Sequence, residues 1–65
     1  PGYIETALLK DNLDKSMMDA VAAKAPMNRL GTSEEIAELV VFLSSEKSSF
    51  TTGSYIIADG GYTAV

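Results

Sequence analysis

The stretch from Thr32 to Ser45 constrains the fold more than any other. Thr32-Ser33-Glu34-Glu35 fits the capping-box pattern, in which the threonine hydroxyl and the glutamate three residues on satisfy orphan backbone donors reciprocally, so a helix starts there. Ile36, Leu39, Val40 and Leu43 then repeat at the spacing of one helical face. Ala37, Val41 and Phe42 carry apolar surface round both flanks, leaving a narrow polar strip at Glu34, Glu35, Glu38 and Ser45. A helix clad in this way needs cover on two sides. The chain has only 65 residues, 46% of them hydrophobic, and at this size one core rarely supplies more than about 3 to 5 kcal/mol. The helix therefore predicts either more chain or a partner subunit.

Composition removes several chemistries. With no Cys and no His, there is no disulfide framework, zinc ribbon, imidazole base or thiol nucleophile, and a metal would need an all-oxygen shell. No metal site is expected. A net charge of -4 gives no basic stripe for a phosphate backbone and would be repelled by an acidic membrane surface, so neither nucleic acid nor membrane is expected as a partner. The longest apolar run, Ile36 to Leu43, is interrupted by Glu38 and falls short of a membrane span, and the first residues lack the pattern of a signal peptide. The expectation is a cytoplasmic protein. Pro1 in place of an initiator Met fits either a processed start or membership in a longer chain.

Along the chain, Pro1-Gly2-Tyr3-Ile4 is turn material. From Thr6 to Lys24 the spacing of Leu9, Leu13, Met17, Val21 and Ala25 predicts helix, broken near Asn12 to Asp14 into two short helices, with Asn12 or Asp14 as the new cap. Pro26 closes this segment. Tyr55-Ile56-Ile57-Ala58, between Gly53 and Asp59-Gly60-Gly61, reads as a short strand buried on both faces. Helix, loop, buried strand and turn make the pattern of an α/β layer protein, yet one buried strand makes no sheet. No domain boundary falls within residues 1–65.

Taken in order, Pro1-Gly2-x-Ile4-x-Thr6, Pro26-x-x-Arg29-x-Gly31-x-x-Glu34-Glu35-Ile36-Ala37, Phe42-Leu43-Ser44-Ser45, Thr52-Gly53 and Asp59-Gly60-Gly61-Tyr62-Thr63-Ala64 resemble the C-terminal part of a short-chain dehydrogenase/reductase. The ending from Gly60 to Ala64 is similar to the bacterial secondary-alcohol, diol and polyol dehydrogenases of that family. The resemblance implies a Rossmann fold, a doubly wound parallel sheet that binds NAD or NADP at the carboxyl ends of its strands. Residues 1–6 would form the nicotinamide loop, 7–26 a substrate lid, 32–45 an interface helix and 54–58 the last strand. Helix 32–45 and strand 54–58 would build a homo-oligomer, a tetramer in this family.

The same resemblance assigns Pro1, Gly2, Ile4 and Thr6 to cofactor binding. The Thr6 hydroxyl and the Ile4 amide would hold the nicotinamide carboxamide or the pyrophosphate, with Pro1 and Gly2 shaping a close approach. On residues alone, Thr6 reads first as the cap of the following helix. Leu8, Leu9, Leu13 and Met17, with Met18, fall in the implied lid, where flexible apolar side chains such as methionine repack easily, with permanent packing on the core as the alternative. Tyr3 would border the substrate pocket beneath that lid, with packing against the sheet as its alternative. Arg29 is read as structural, pairing with a carboxylate or with carbonyls. Asp59 is read as a turn former, and Glu34, Glu35 and Glu38 as solvated charges at a helix start.

No catalytic residue is expected here. There is no G-x-G-x-x-G, and Tyr3 and Tyr55 are followed four residues later by Ala7 and Asp59 where a Y-x-x-x-K motif would need lysine. The resemblance thus implies an oxidoreductase acting on a small secondary alcohol, diol, sugar or ketone, of which these residues are the C-terminal part. The alternatives are a non-catalytic oligomerisation or binding fragment and a family member that has lost its catalytic groups.

Overall fold

Thr6 ends one element and begins the next. A computed structural model describes all residues, Pro1–Val65, and in it the extended Thr6 follows a short strand, β1 (Ile4–Glu5), and caps the first helix, α1 (Ala7–Asn12), its hydroxyl accepting from the Leu9 amide at 3.4 Å. That bond is long for a cap. The helix stops where Leu13 turns extended and the Asn12 side-chain amide donates to the Leu8 carbonyl at 2.7 Å. Asp14 then starts α2 (Lys15–Ala22), accepting from the Met17 amide at 2.9 Å and the Ser16 hydroxyl at 3.0 Å. The expected break into two helices is present, and Asp14 is the new cap.

After α2 the chain tightens through Ala25 and Pro26 to Asn28, which sits in the left-handed region at φ 55°. It then enters β2 (Gly31–Thr32), parallel to β1 with Ile4 opposite Gly31 and Glu5 opposite Thr32. The third helix, α3 (Ser33–Leu43), opens with the capping box in full: Glu35 N–H donates to the Thr32 hydroxyl at 3.1 Å, and Thr32 N–H donates to the Glu35 carboxylate at 2.9 Å. Such a threonine cap contributes about 1 kcal/mol. Its far end is closed by Ser48, a buried residue whose hydroxyl donates to the Leu43 carbonyl at 2.9 Å. Two short 3-10 turns, Glu46–Ser48 and Tyr62–Ala64, complete the order. No helix is long and apolar enough to cross a membrane.

The architecture is α/β with a two-stranded parallel sheet. One expectation is corrected here: residues 54–58 form no strand. A strand exists only against a neighbour, and this run makes a single backbone bond near its end, Gly2 N–H to the Ala58 carbonyl at 3.3 Å. Tyr55 is 96% exposed and Ile57 67%. Thr32 and Ser44 are caps flanking α3, so the helix proper is shorter than the expected 32–45.

Ala25 is the only buried apolar residue. The radius of gyration is 13.8 Å, against about 11 Å for a compact chain of this length. The outer face of α3 presents Val40, Val41, Phe42 and Leu43 to solvent.

Candidate functional site

Three stretches that are distant in sequence meet in one place: the loop before α1, the connector after α2 and the turn at Asp59–Thr63. The parallel pairing brings the first two together, the Gly31 amide donating to the Tyr3 carbonyl at 2.9 Å. The turn joins them through Gly2 N–H to Ala58, described above, and through Met27 N–H donating to the Gly60 carbonyl at 3.1 Å. Tyr3 and Tyr62 stack edge to face, ring centroids 5.6 Å apart, and the Lys24 ammonium lies 5.7 Å from the Tyr3 ring centre.

Between these stretches and the start of α3 lies a cavity of about 230 Å³, walled by Tyr3, Ile4, Val21, Ala25, Met27 and Ile36 with the polar groups of Arg29, Glu35 and Asp59 at its edge. Its volume falls below the roughly 300 Å³ at which small-molecule pockets begin. Its charged groups are moreover already engaged with one another, with backbone or with the Thr63 hydroxyl. It is an apolar seat beside β1, β2 and the end of α2.

Of the residues singled out in the sequence, Tyr3 and Ile4 line this cavity, while Pro1, Gly2, Thr6, Leu8, Leu9, Leu13 and Met17 do not. Thr6 is exposed. Its oxygen accepts from Leu9, which leaves the hydroxyl proton free to donate. Gly2 has an internal reason to be glycine: a Cβ there would come within 2.9 Å of the Asp59 Cβ. On α1 and α2 nothing is buried; Leu8 is 72% exposed and Met17 48%, with Leu9 and Leu13 half-buried. Thus neither helix is packed on its apolar side. No cluster of three or more acidic side chains converges on a point where a cation would sit.

Arg29 reaches α3. Its guanidinium grips the Glu35 carboxylate with two parallel bonds, 2.9 and 2.8 Å, and also donates to the Leu30 carbonyl at 3.1 Å. Both partner types expected for Arg29 are present. Glu35, expected to be simply solvated, is instead the hub of the connector: it holds Arg29 and the Thr32 amide at once. These donors, the guanidinium foremost and the Thr32 amide next, depress its pKa from 4.5 to about 2, and the same pair raises that of Arg29. A depressed carboxylate contributes stability that is complete above pH 4.5 and is lost as pH falls through about 2. We expect a carbon-13 titration of the Glu35 carboxyl to show its midpoint near about 2, and Arg29→Ala to return it towards 4.5. An unmoved midpoint in Arg29→Ala would contradict the assignment.

Asp59 is the turn former it was read to be. Its carboxylate accepts from the Gly61 amide at 2.9 Å, the Thr63 amide at 2.9 Å and the Thr63 hydroxyl at 2.7 Å. The Thr63 hydroxyl and then the backbone amides hold it below the usual aspartate range. Sequence reasoning missed the docking of this turn on Pro26 and Met27. The paired glycines were the signal, read only as a turn.

Comparison with known proteins supplies context for this geometry. A family model described as enoyl-(acyl carrier protein) reductase matches residues 1–63. The 3-oxoacyl-(acyl-carrier-protein) reductase FabG of Buchnera aphidicola is 51% identical over 61 residues, 94% of this chain and 25% of that protein. The NADP-dependent (R)-specific alcohol dehydrogenase of Lentilactobacillus kefiri is 42% identical over 64 residues, covering 98% of this chain and 25% of that one. A short chain dehydrogenase family protein from Francisella tularensis superposes on all of this chain and 31% of its own with a TM-score of 0.89 at 37% identity. The chain spans about a quarter of the length of these curated relatives.

Proposed function

The chain belongs to the short-chain dehydrogenase/reductase family, and on that footing we propose that it is the C-terminal part of an NAD- or NADP-dependent oxidoreductase that interconverts a small alcohol and its ketone. The reading rests on the likeness of nearly the whole chain to a 3-oxoacyl reductase and an alcohol dehydrogenase. The unpacked apolar faces support it: α3 and residues 54–58 expose Val40, Val41, Phe42, Tyr55 and Ile57, surfaces that the remaining sheet of a Rossmann domain and a second subunit of a homo-oligomer would cover. The catalytic groups would lie outside these residues.

The residues at the first loop fit a nicotinamide cofactor. Thr6 holds an exposed hydroxyl whose proton is unspent, placed to donate to a carboxamide or pyrophosphate oxygen. Along β1 the ladder to β2 uses the Tyr3 carbonyl, so the Ile4 amide faces the opposite side. The Gly2 amide is committed to Ala58, and Gly2 therefore shapes the loop from within while Pro1 borders it. Bound nicotinamide would supply the hydride acceptor or donor. The chain's own part is to orient that ring and to exclude water, the latter through α1 and α2, where Leu8, Leu9, Leu13 and Met17 beside Tyr3 form an apolar cover.

Thr6→Val keeps the shape and removes the donor, together with the long cap bond from Leu9; Thr6→Asn, which can keep a cap acceptor, is the comparison for the loss of that bond. In the complete protein carrying this segment, we expect Thr6→Val to weaken NADH or NADPH binding about five- to tenfold, the effect of one hydrogen bond, as read by nicotinamide fluorescence. If the unaltered protein binds neither cofactor and reduces no small carbonyl compound, the proposed function is wrong.

A further inference from the structure

The span from Thr6 to Lys24 departs from one small platform and returns to it, and its return end is gripped by a turn far along the chain. Gly61 lies so close to Pro26 that a Cβ there would stand 2.9 Å from the ring, and one on Gly60 would stand 3.4 Å from the Ala25 Cβ. Met27 N–H is bonded to Gly60, and Ala25, 7% exposed, is the best-packed apolar residue of the molecule. Nothing comparable holds α1 or α2. The turn depends on Asp59, whose carboxylate gathers three donors from Gly61 and Thr63 while its Cβ sits against Gly2. One side chain thus touches the first loop and shapes the surface that receives Ala25 and Pro26.

We propose that Asp59 is a positioning residue: by holding the Asp59–Thr63 turn in shape, it sets where the return end of the lid lies relative to the Gly2–Thr6 loop, and so how the lid closes over substrate. This builds on the lid reading above. Asp59 contacts no reacting group and acts through Gly60, Gly61 and Gly2. The demand is for a carboxylate, because three donors converge on it; an asparagine offers one acceptor oxygen and turns N–H groups towards the Thr63 amide.

The test compares Asp59→Ala, Asp59→Asn and Thr63→Val with the unaltered complete protein, using two readouts. The first is amide hydrogen exchange in a peptide covering residues 24–28. The second is KM against kcat for carbonyl reduction at saturating nicotinamide. Asp59→Ala is expected to speed exchange there about tenfold and to raise KM about fivefold with kcat changed less than about twofold. Asp59→Asn should recover part of both. Thr63→Val removes the 2.7 Å bond alone and should show the same changes at smaller size, which keeps the test open if Asp59→Ala does not fold. Unchanged exchange in the folded variants overturns the proposal, as does faster exchange with an unmoved KM in an active protein. If the unaltered protein reduces no carbonyl with either nicotinamide, the oxidoreductase reading fails, and the exchange readout still decides whether the turn holds the return end.

Discussion

Taken alone in solution, the 65-residue chain is expected to heat without a cooperative transition. A calorimetric trace should show no peak, and a dye that reports exposed apolar surface should brighten strongly in its presence. Folding must offset roughly 1 to 2 kcal/mol of backbone entropy for every residue ordered, and the chief offset is burial of apolar side chains. Here that burial is nearly absent, since Ala25 alone is buried while Phe50, Tyr55, Ile57 and Leu8 stand in solvent. Local bonds such as the Thr32–Glu35 box and the Asp14 cap are too few and too exposed to replace it. A sharp calorimetric peak, with the chain oligomeric at that concentration, would favour the alternative of a self-sufficient oligomerisation module. Added to the remaining strands of a Rossmann sheet, the same residues should unfold with the rest as one unit.

The second large effect is expected at Gly61. Its φ of 93° lies in the region that side chains avoid, and an added Cβ would meet Pro26 at 2.9 Å. Strain and overlap act together, because the proline ring is rigid and its neighbour Ala25 is buried. Gly61→Ala should therefore cost about 2 to 3 kcal/mol of the complete protein's stability, measured from the urea midpoint at constant slope. Gly53 provides the comparison: its φ of 67° is equally left-handed, but an added Cβ would meet nothing within 4 Å. Gly53→Ala should show the backbone strain alone, about 1 kcal/mol. Equal losses at the two positions would mean that the contact with Pro26 carries no energy.

Gly61 and its neighbour Gly60 mark where the sequence stopped being legible. Helix starts could be read because a cap works within three residues of itself: Asp14 finds Met17 and Thr32 finds Glu35 without reference to the rest of the chain. Arg29 was legible as a structural cation, and its partner lies just past the next turn. The run Tyr55 to Ala58 carries the composition of a buried strand, yet strandedness depends on a neighbour that composition cannot name, and here its only ladder-like bond is to Gly2. The docking of Gly60 and Gly61 on Ala25 and Pro26 left no periodic mark, because glycine contributes by what it lacks. The working residues divide the same way. The cap role of Thr6 is local, its proposed cofactor role rests on the family resemblance, and the proposed role of Asp59 depends on a fold that returns two distant segments to its side.

The parallel pairing of Ile4 with Gly31 has a consequence for how such a protein can change. The excursion from Thr6 to Lys24 begins and ends at adjacent points, so its length is not dictated by the distance it must span. Closing a loop costs only about 0.6 kcal/mol more for each doubling of its length, while the pairing and the grip of Gly60 and Gly61 stay as they are. A longer, shorter or differently charged insert could replace α1 and α2 and leave Glu5 paired with Thr32. On the proposed reading, the cover over the reaction would in this sense be an exchangeable part, and chains of this architecture could acquire new specificities by trading that one stretch while the proposed cofactor-facing loop stays in place.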